Sequence, residues 1–379
     1  MKILQLGKFY PISGGVEKVM WNLTKGISKR KIDCDMLCAV FRDNVDRMAC
    51  GAGGRWIEQV IEFNEHGQCL CTPANHIVAS TMISPAMIFW LKSHSGEYDI
   101  IHIHHPDPMA CAALFFSGYK GKVVLHWHSD ILRQKKLMKF YAPLQNWLIK
   151  RADVILGTSP VYVQKSPYLQ EVQDKISVLP IGIEDNMRRP SPKMKDGRKV
   201  VFSLGRLVPY KGFKYLIDAA KYLPDNYEIR IGGSGPLRTD LENRIEEAGL
   251  GRKVKLVGQI PENSLPEEFN SCDVFVMSSR MKTEAFGIVQ VEAMSCGKPV
   301  VATHIPDSGV DWVNEDGVSG LNVPVEDSEA IARAILEICE DEERYRQYCL
   351  QARRRYERMF TMDKMIDGAL SVYEKVLAK

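Results

Sequence analysis

"KVVFSLGRL", residues 199–207, starts a second series of strand–turn–helix units after a first series has closed, and that restart decides the fold. Its apolar run is followed by a turn and an amphipathic stretch, and the pattern then repeats. "YEIRIGGSG" (227–235), "VKLVGQI" (254–260), "DVFVMSS" (273–279), "KPVVATH" (298–304) and "GLNVPV" (320–325) continue it. The earlier series comprises "KILQLG" (2–7), "CDMLCAV" (34–40), "DIIHIHH" (99–105), "KVVLHWH" (122–128), "DVILGTS" (153–159) and "ISVLPIG" (176–182). A helix over about Val16 to Lys29 joins its first two strands, after a turn marked by Pro11 and Gly14-Gly15. Short apolar runs alternating with helical stretches predict parallel sheets built from strand–helix–strand units. "EDNMRRPSPKMKDG" (184–197) reads as an exposed linker between the two series. The expectation is an α/β chain of two doubly wound domains, 1–183 and 184–360, facing across a cleft, with a final helical segment over 361–379.

At 379 residues the chain suits two domains, and its 45% hydrophobic and 26% charged residues are those of a soluble protein. The net charge of +3 divides into +6 over residues 1–183 and −3 over the rest. A basic first half fits an anionic partner, or is chance asymmetry. The ten cysteines form no CxxC pair, which excludes zinc-ribbon spacing. Most sit in apolar runs, as Cys38 and Cys111 do, and free thiols of this kind fit a reducing cytoplasm. The opening "MKILQLGKFYP" is too short and too early broken for a signal peptide. No apolar run approaches the roughly 20 residues that span a bilayer. A cytoplasmic protein is expected, with the inner membrane surface as a peripheral contact and no nucleic-acid partner.

In open parallel sheets ligands bind beyond the C-terminal strand ends, and the unusual residues fall there. "TEAFGIVQVEAM" (283–294) brackets an apolar run with Glu284 and Glu292. A helix beginning near Phe286 or Gly287 would offer free N–H groups and the positive end of its dipole to a phosphate. Glu284 and Glu292 would then accept hydroxyls, together forming a pocket for a sugar-diphosphate nucleotide. The alternative is an ordinary first-turn acid and a buried, capped one. In "GRLVPYKGF" (205–213), Arg206 and Lys211 would neutralise a diphosphate leaving group without a metal. "GGSGP" (232–236) and "SGGVE" (13–17) lack dinucleotide spacing, which counts against a nicotinamide enzyme, but Gly14-Gly15 suits a phosphate at a helix start.

His102, His104, His126 and His128 end two strands, with alternation placing each pair on one face. They leave a metal-dependent hydrolase open, although His128 facing the cleft while the others pack is favoured. "DCD" (33–35) matches a metal-holding Asp-x-Asp pattern but precedes a strand, and reads as a solvated turn. "RQKKLMKFYAPLQNWLIKR" (133–151) is a basic amphipathic helix suited to an anionic membrane or to packing on its own domain.

Taken together, these segments resemble the retaining family-4 glycosyltransferases of bacterial polysaccharide and O-antigen type, over essentially the whole chain. The most specific element is "EAFGIVQVEAMSCGKPVVAT" (284–303), similar to the family's Glu-x7-Glu motif. "GRLVPYKGF", "GGSGP", "SGGVE" and "VLPIGI" resemble other family segments, the last with Ile181-Gly182 where Asn-Gly is usual. The resemblance implies a GT-B fold of two Rossmann-like domains, the C-terminal helix crossing back to the first. It implies a metal-independent hexosyltransferase with no cofactor, a GDP- or UDP-linked sugar as donor, and a glycan acceptor, lipid-linked in cell-surface polysaccharide synthesis. By the same resemblance Arg206 and Lys211 hold the donor diphosphate. Phe286, Gly287, Ile288 and Val289 border it, and Gly235 lies in the Gly-x-Gly-Pro turn. Ile260 meets the base, Glu292 the ribose, Glu284 the transferred sugar and His128 the reacting carbon, while Gly14 and Gly15 lie against phosphate and acceptor. A nucleotide-sugar epimerase on the same fold and a non-catalytic nucleotide-sugar binder are the remaining readings.

Overall fold

A computed structural model of the chain describes residues 1–12, 14–41, 43, 55–79, 81–132, 135–186 and 197–379. Most of the expected linker, 187–196, lies outside the described residues, as do Ser13 and Arg133. The chain divides into two compact units, Met1–Gly182 with Met362–Lys379, and Ile183–Thr361.

Unit 1 runs β1 (Lys2–Tyr10), α1 (Gly15–Lys29), β2 (Asp33–Phe41), β3 (Gln59–Asn64), β4 (Gly67–Ala74), β5 (His76–Val78), β6 (Thr81–Ile83) and α2 (Pro85–His94). It continues with β7 (Ile100–His105), α3 (Pro108–Ser117), β8 (Lys122–Trp127), α4 (Lys135–Arg151), β9 (Val154–Gly157), α5 (Pro160–Gln164) and β10 (Ile176–Val178). Its main sheet has the order β10-β9-β8-β7-β1-β2-β4-β3, parallel throughout except for the antiparallel β3–β4 pair. Strands β3 to β6 fall where the sequence reading places none. β5 is exposed along its length and β4 carries Cys, Thr and Pro rather than a branched aliphatic run, so neither shows a clear period. Asp33 opens β2 instead of forming a solvated turn. Its carboxylate pairs with His66 Nδ1 at 2.8 Å, and Asp35 accepts from Tyr98 Oη at 2.8 Å.

Unit 2 runs β11 (Lys199–Leu204), α6 (Phe213–Ala219), β12 (Tyr227–Gly232), α7 (Arg238–Glu247), β13 (Val254–Gly258), α8 (Leu265–Ser271), β14 (Val274–Met277) and α9 (Ile288–Ser295). Then follow β15 (Val300–His304), α10 (Val310–Val313), β16 (Gly320–Pro324), α11 (Ser328–Cys339) and α12 (Glu342–Met359). The sheet order is β13-β12-β11-β14-β15-β16, all parallel. Numbered within the unit this is 3-2-1-4-5-6, a doubly wound sheet whose order reverses between β11 and β14. In unit 1 the same reversal falls between β1 and β7. Ile183 belongs to unit 2 because its N–H donates to Phe360 O at 2.9 Å and it bridges Thr361.

Helix ends follow local chemistry. The Asp107 carboxylate accepts from Ala110 N at 3.0 Å, Pro108 fills the first turn, and Gly118 closes α3 at φ 69°. Asp327 and Asp341 cap α11 and α12 in the same way. The last helix, α13 (Met362–Leu377), returns to unit 1, where Arg30 of α1 pairs with Asp363 at 2.7 Å and Tyr373 is buried beside Gln5 and His102.

Candidate functional site

The order reversal in unit 2 places the loops after β11 and β14 side by side, and these loops carry Arg206, Lys211, Glu284 and Gly287. Lys211 Nζ forms an ion pair with Glu284 Oε2, the two side chains being 11% and 13% exposed. Ser279 Oγ donates to the same carboxylate at 3.0 Å, and Ser308 Oγ donates to the Glu284 carbonyl at 2.5 Å. Burial opposes the charge on Lys211, but Glu284 and Tyr210 outweigh it and raise the ammonium above its ordinary value. Arg206 is exposed, and its charge acts on Lys211 in the opposite sense. The turn is held through its backbone carbonyls: Ser278 Oγ donates to Lys211 O at 2.9 Å, and Arg280 N donates to Tyr210 O at 2.8 Å. Gly212 has φ 66°, and a Cβ there would lie 2.1 Å from Ser278 O, so no other residue fits this crossing.

Helix α9 starts with Gly287 as its N-cap at φ 75°, and among the described residues no side chain caps it. The N–H groups of Ile288 and Val289 head the helix beside the Glu284 loop, where an anion is favoured. Glu292, the fifth residue of α9, is 9% exposed. The ring of Phe286 is buried edge-on to Phe360, centroids 5.9 Å apart, so its backbone is what is available to a ligand. Gly235 packs against the Leu207 backbone, a Cβ there falling 2.6 Å from Leu207 O. Ile260 lies over Gly232 at the end of β12, its Cδ1 2.5 Å from where a Cβ would stand. The sequence-predicted donor residues of unit 2 thus gather along the C-terminal edge of one sheet. Ser279 and Ser308, which hold Glu284, are not legible beforehand, because single serines in loops carry no periodic or motif signal.

In unit 1, Gly14 is the N-cap of α1 and Gly15 its first residue. The buried Glu17 carboxylate lies so close that a Cβ on Gly14 would meet its Oε2 at 2.1 Å. The positive end of α1 therefore already has an acid beside it, which the phosphate expectation did not foresee.

The histidines form a stacked, buried column. His102 and His104 share one face of β7, with ring centroids 4.6 Å apart, and His126 and His128 stack at 4.0 Å. His104 Nδ1 shares a proton with His128 Nε2 at 2.9 Å, and its Nε2 meets Gln5 Oε1 at 2.8 Å. His102 Nδ1 meets Tyr373 Oη at 2.6 Å, while neither nitrogen of His126 has a hydrogen-bond partner among the described residues. Burial, reinforced by the neighbouring imidazoles and for His104 and His128 also by Lys8, holds His102, His104 and His128 well below the ordinary histidine value. Burial takes His126 to about 3, and it also dominates the fall of His105 to about 3. All are neutral near pH 7. The nitrogens of His102, His104 and His126 approach within 4.8 Å of one another, yet all three are 0% exposed. A hydrolytic metal needs an open coordination position, and this packed column offers none.

On the other side of unit 1, α4 exposes Leu137 and, at 85%, Phe140, with Lys139 between them. Phe115 and Phe116 of α3 are also exposed, and Phe115 meets Trp147 edge-on at 4.9 Å. A cavity of about 420 Å³ opens beside Leu137 and Phe140, which line it with Lys8, Ile83, Pro106 and Tyr141 among others. Among the described residues, no helix is long and apolar enough to cross a membrane.

Residues 13–186 match the family model described as Glycosyltransferase Family 4, and residues 185–355 match Glycosyl transferases group 1. The O-antigen chain mannosyltransferase C of Escherichia coli is 31% identical over 100% of this chain and 99% of its own. The D-rhamnosyltransferase WbpZ of Pseudomonas aeruginosa is 28% identical over 75% of each. Among solved structures, HepE of Anabaena in complex with UDP superposes with a TM-score of 0.76 at 22% identity, covering 99% of this chain and 100% of that one. Sucrose-phosphate synthase of Thermosynechococcus elongatus gives 0.76 at 20% identity, covering both chains fully.

Proposed function

This chain belongs to the family-4 glycosyltransferases and has their GT-B fold, and on that premise we propose that it transfers a hexose, with retention of configuration and without a metal, from a GDP- or UDP-linked donor to a lipid-linked glycan in cell-surface polysaccharide synthesis. The observation that carries the donor half is the Lys211–Glu284 pair set beside the uncapped start of α9, at the point where the sheet order of unit 2 reverses. The diphosphate sits on the Ile288 and Val289 N–H groups, Lys211 and Arg206. Glu292 takes the ribose hydroxyls and Glu284 those of the sugar being moved. The sugar–phosphate bond breaks first, and the leaving charge is neutralised by Lys211, Arg206 and the helix end. The acceptor hydroxyl then attacks from the same face and gives its proton to the departing phosphate. His128 enters as a neutral imidazole. The acceptor class is supported by the O-antigen relative.

The test of the donor pocket is thermal stabilisation by a panel of nucleotides and nucleotide sugars, with and without chelator. One diphosphate nucleotide at 100 times its Kd should stabilise the protein by about 2.7 kcal/mol, unchanged by chelator. Loss of hydroxyl contacts to a buried carboxylate is worth about 1.5–3 kcal/mol, so Glu292→Ala should weaken that nucleotide roughly tenfold or more. Stabilisation by a metal alone, with no nucleotide effect, would remove the pocket.

Lipid-surface contact is proposed from the exposed Leu137, Phe140, Phe115 and Phe116 beside Lys139, with the neighbouring cavity taking apolar parts of the acceptor. Sedimentation with anionic vesicles at low salt should carry the protein down, and Phe140→Asp should leave most of it in the supernatant. If wild type and Phe140→Asp partition alike, the surface has no such role.

A further inference from the structure

Cys38 of β2 and Cys69 and Cys71 of β4 lie apart in sequence and show no zinc-site spacing. The parallel register sets Cys38 directly opposite Cys71, and Cys69 follows two residues away on the same face. The three sulfurs form a nearly equilateral triangle: Cys38–Cys69 3.6 Å, Cys38–Cys71 3.7 Å and Cys69–Cys71 3.8 Å. All three residues are 0% exposed. Their surroundings are apolar, with Met20 and Met36 in the same cluster and Trp21, Ile61 and Phe63 packed against it.

We propose that Cys38, Cys69 and Cys71 form a structural site for a thiophilic d10 cation, of which Zn²⁺ is the representative, tying β2 to β4 beneath α1. An ion bonded to three sulfurs at about 2.3 Å in tetrahedral geometry sets them about 3.8 Å apart, which this triangle matches closely, with the fourth position left without a protein ligand among the described residues. The donor set is all sulfur, which selects zinc or copper(I) over magnesium, calcium or manganese. Each thiolate formed on binding releases one proton to solvent, and a divalent ion offsets two of the three thiolate charges that the apolar surroundings would otherwise bear in full. The site lies outside the transfer residues, so its ion takes no part in transfer.

The experiment uses the full chain, reduced and freed of metal, titrated with Co²⁺ and then with Zn²⁺. One Co²⁺ per chain should bind with sulfur-to-cobalt charge-transfer absorption in the near ultraviolet, and Zn²⁺ should displace it. Cys38→Ser and Cys71→Ser should weaken uptake by more than the roughly 10–100-fold that loss of an outer-shell partner causes. Cys111→Ser, in a buried thiol bonded to Leu144 O, should leave uptake unchanged. Circular dichroism shows whether each variant folds. Should the Cys38 and Cys71 variants not fold, X-ray absorption at the zinc edge of the wild-type protein decides, with three sulfur neighbours expected. Absence of the band in folded protein, coordination by nitrogen and oxygen alone, uptake lost in His126→Leu but kept in Cys38→Ser, or a Cys38–Cys71 disulfide in place of the ion would each overturn the site.

Discussion

Lys211→Ala is expected to lower kcat by roughly 10²–10³-fold, the effect of removing one preorganised donor from a developing negative charge. The ammonium is nearly enclosed, and burial alone would push it toward neutrality. Glu284 prevents that, keeping it charged at the head of α9. A diphosphate entering that position gives the ammonium a second anion to share, and its charge grows as the sugar–phosphate bond lengthens. The loss should therefore appear in kcat more than in KM. The competing account is that Lys211 merely neutralises Glu284. Breaking a buried pair by removing one partner costs about 3–5 kcal/mol, so the variant will melt earlier on either account. The readings separate in kcat per folded chain, with the folded fraction taken from the melt. A folded Lys211→Ala enzyme within about threefold of wild type would show the lysine to be structural. Arg206→Ala, from an exposed position, should lose less, because water screens its charge.

Unit 1 is expected to unfold in mild acid, with most of its stability lost between pH 6.5 and 5. The unfolded chain protonates its histidines near pH 6.5, whereas the folded unit keeps His102, His104, His105, His126 and His128 neutral far below that. A depressed pKa of this kind contributes stability that is complete above 6.5 and is lost as pH falls toward the folded value, about 3 for His105 and His126. Each histidine is worth about 1.4 kcal/mol per pH unit in that window, so five together remove about 7 kcal/mol between pH 7.5 and 5.5. That is comparable to the whole stability of a typical domain, about 5–15 kcal/mol. Asp35 and Asp107 act in the opposite sense, since burial first of all raises both: the folded carboxyls take up protons before their unfolded counterparts, which titrate near pH 4, so these two groups offset part of what the five histidines remove. Far-ultraviolet circular dichroism and the fluorescence of buried Trp127, followed against pH, measure the midpoint. His126→Leu removes two unpartnered ring nitrogens and should move that midpoint to lower pH. Native spectra persisting to pH 4 would show that the column is protonated without unfolding.

Much of this molecule is written locally. Strand β11 with its turn, the apolar run of β14 and the Gly287-led helix start are readable because hydrophobic period, glycine and helix dipole act over a few residues. The family motif from Glu284 to Glu292 is equally local, as are the "GRLVPYKGF" and "GGSGP" segments that carry Arg206, Lys211 and Gly235. The hairpin strands β3 to β6 were not readable, because exposed or cysteine-rich strands show no period. The burial of the Phe286 ring against Phe360 is not written locally, since only packing decides which side of a loop a side chain occupies. Sequence by itself thus determined the alternation of strands and helices, the two doubly wound units and the residues at the strand ends. The tertiary structure alone decided which distant groups meet: Ser279 and Ser308 on Glu284, Tyr373 on His102, Glu17 beside Gly14, and three sulfurs within 3.8 Å. The reason is range. Propensity and dipoles act within a turn or two, but strand order and register, which bring residues 38 and 71 or 102 and 373 together, are set by burial of the whole sheet.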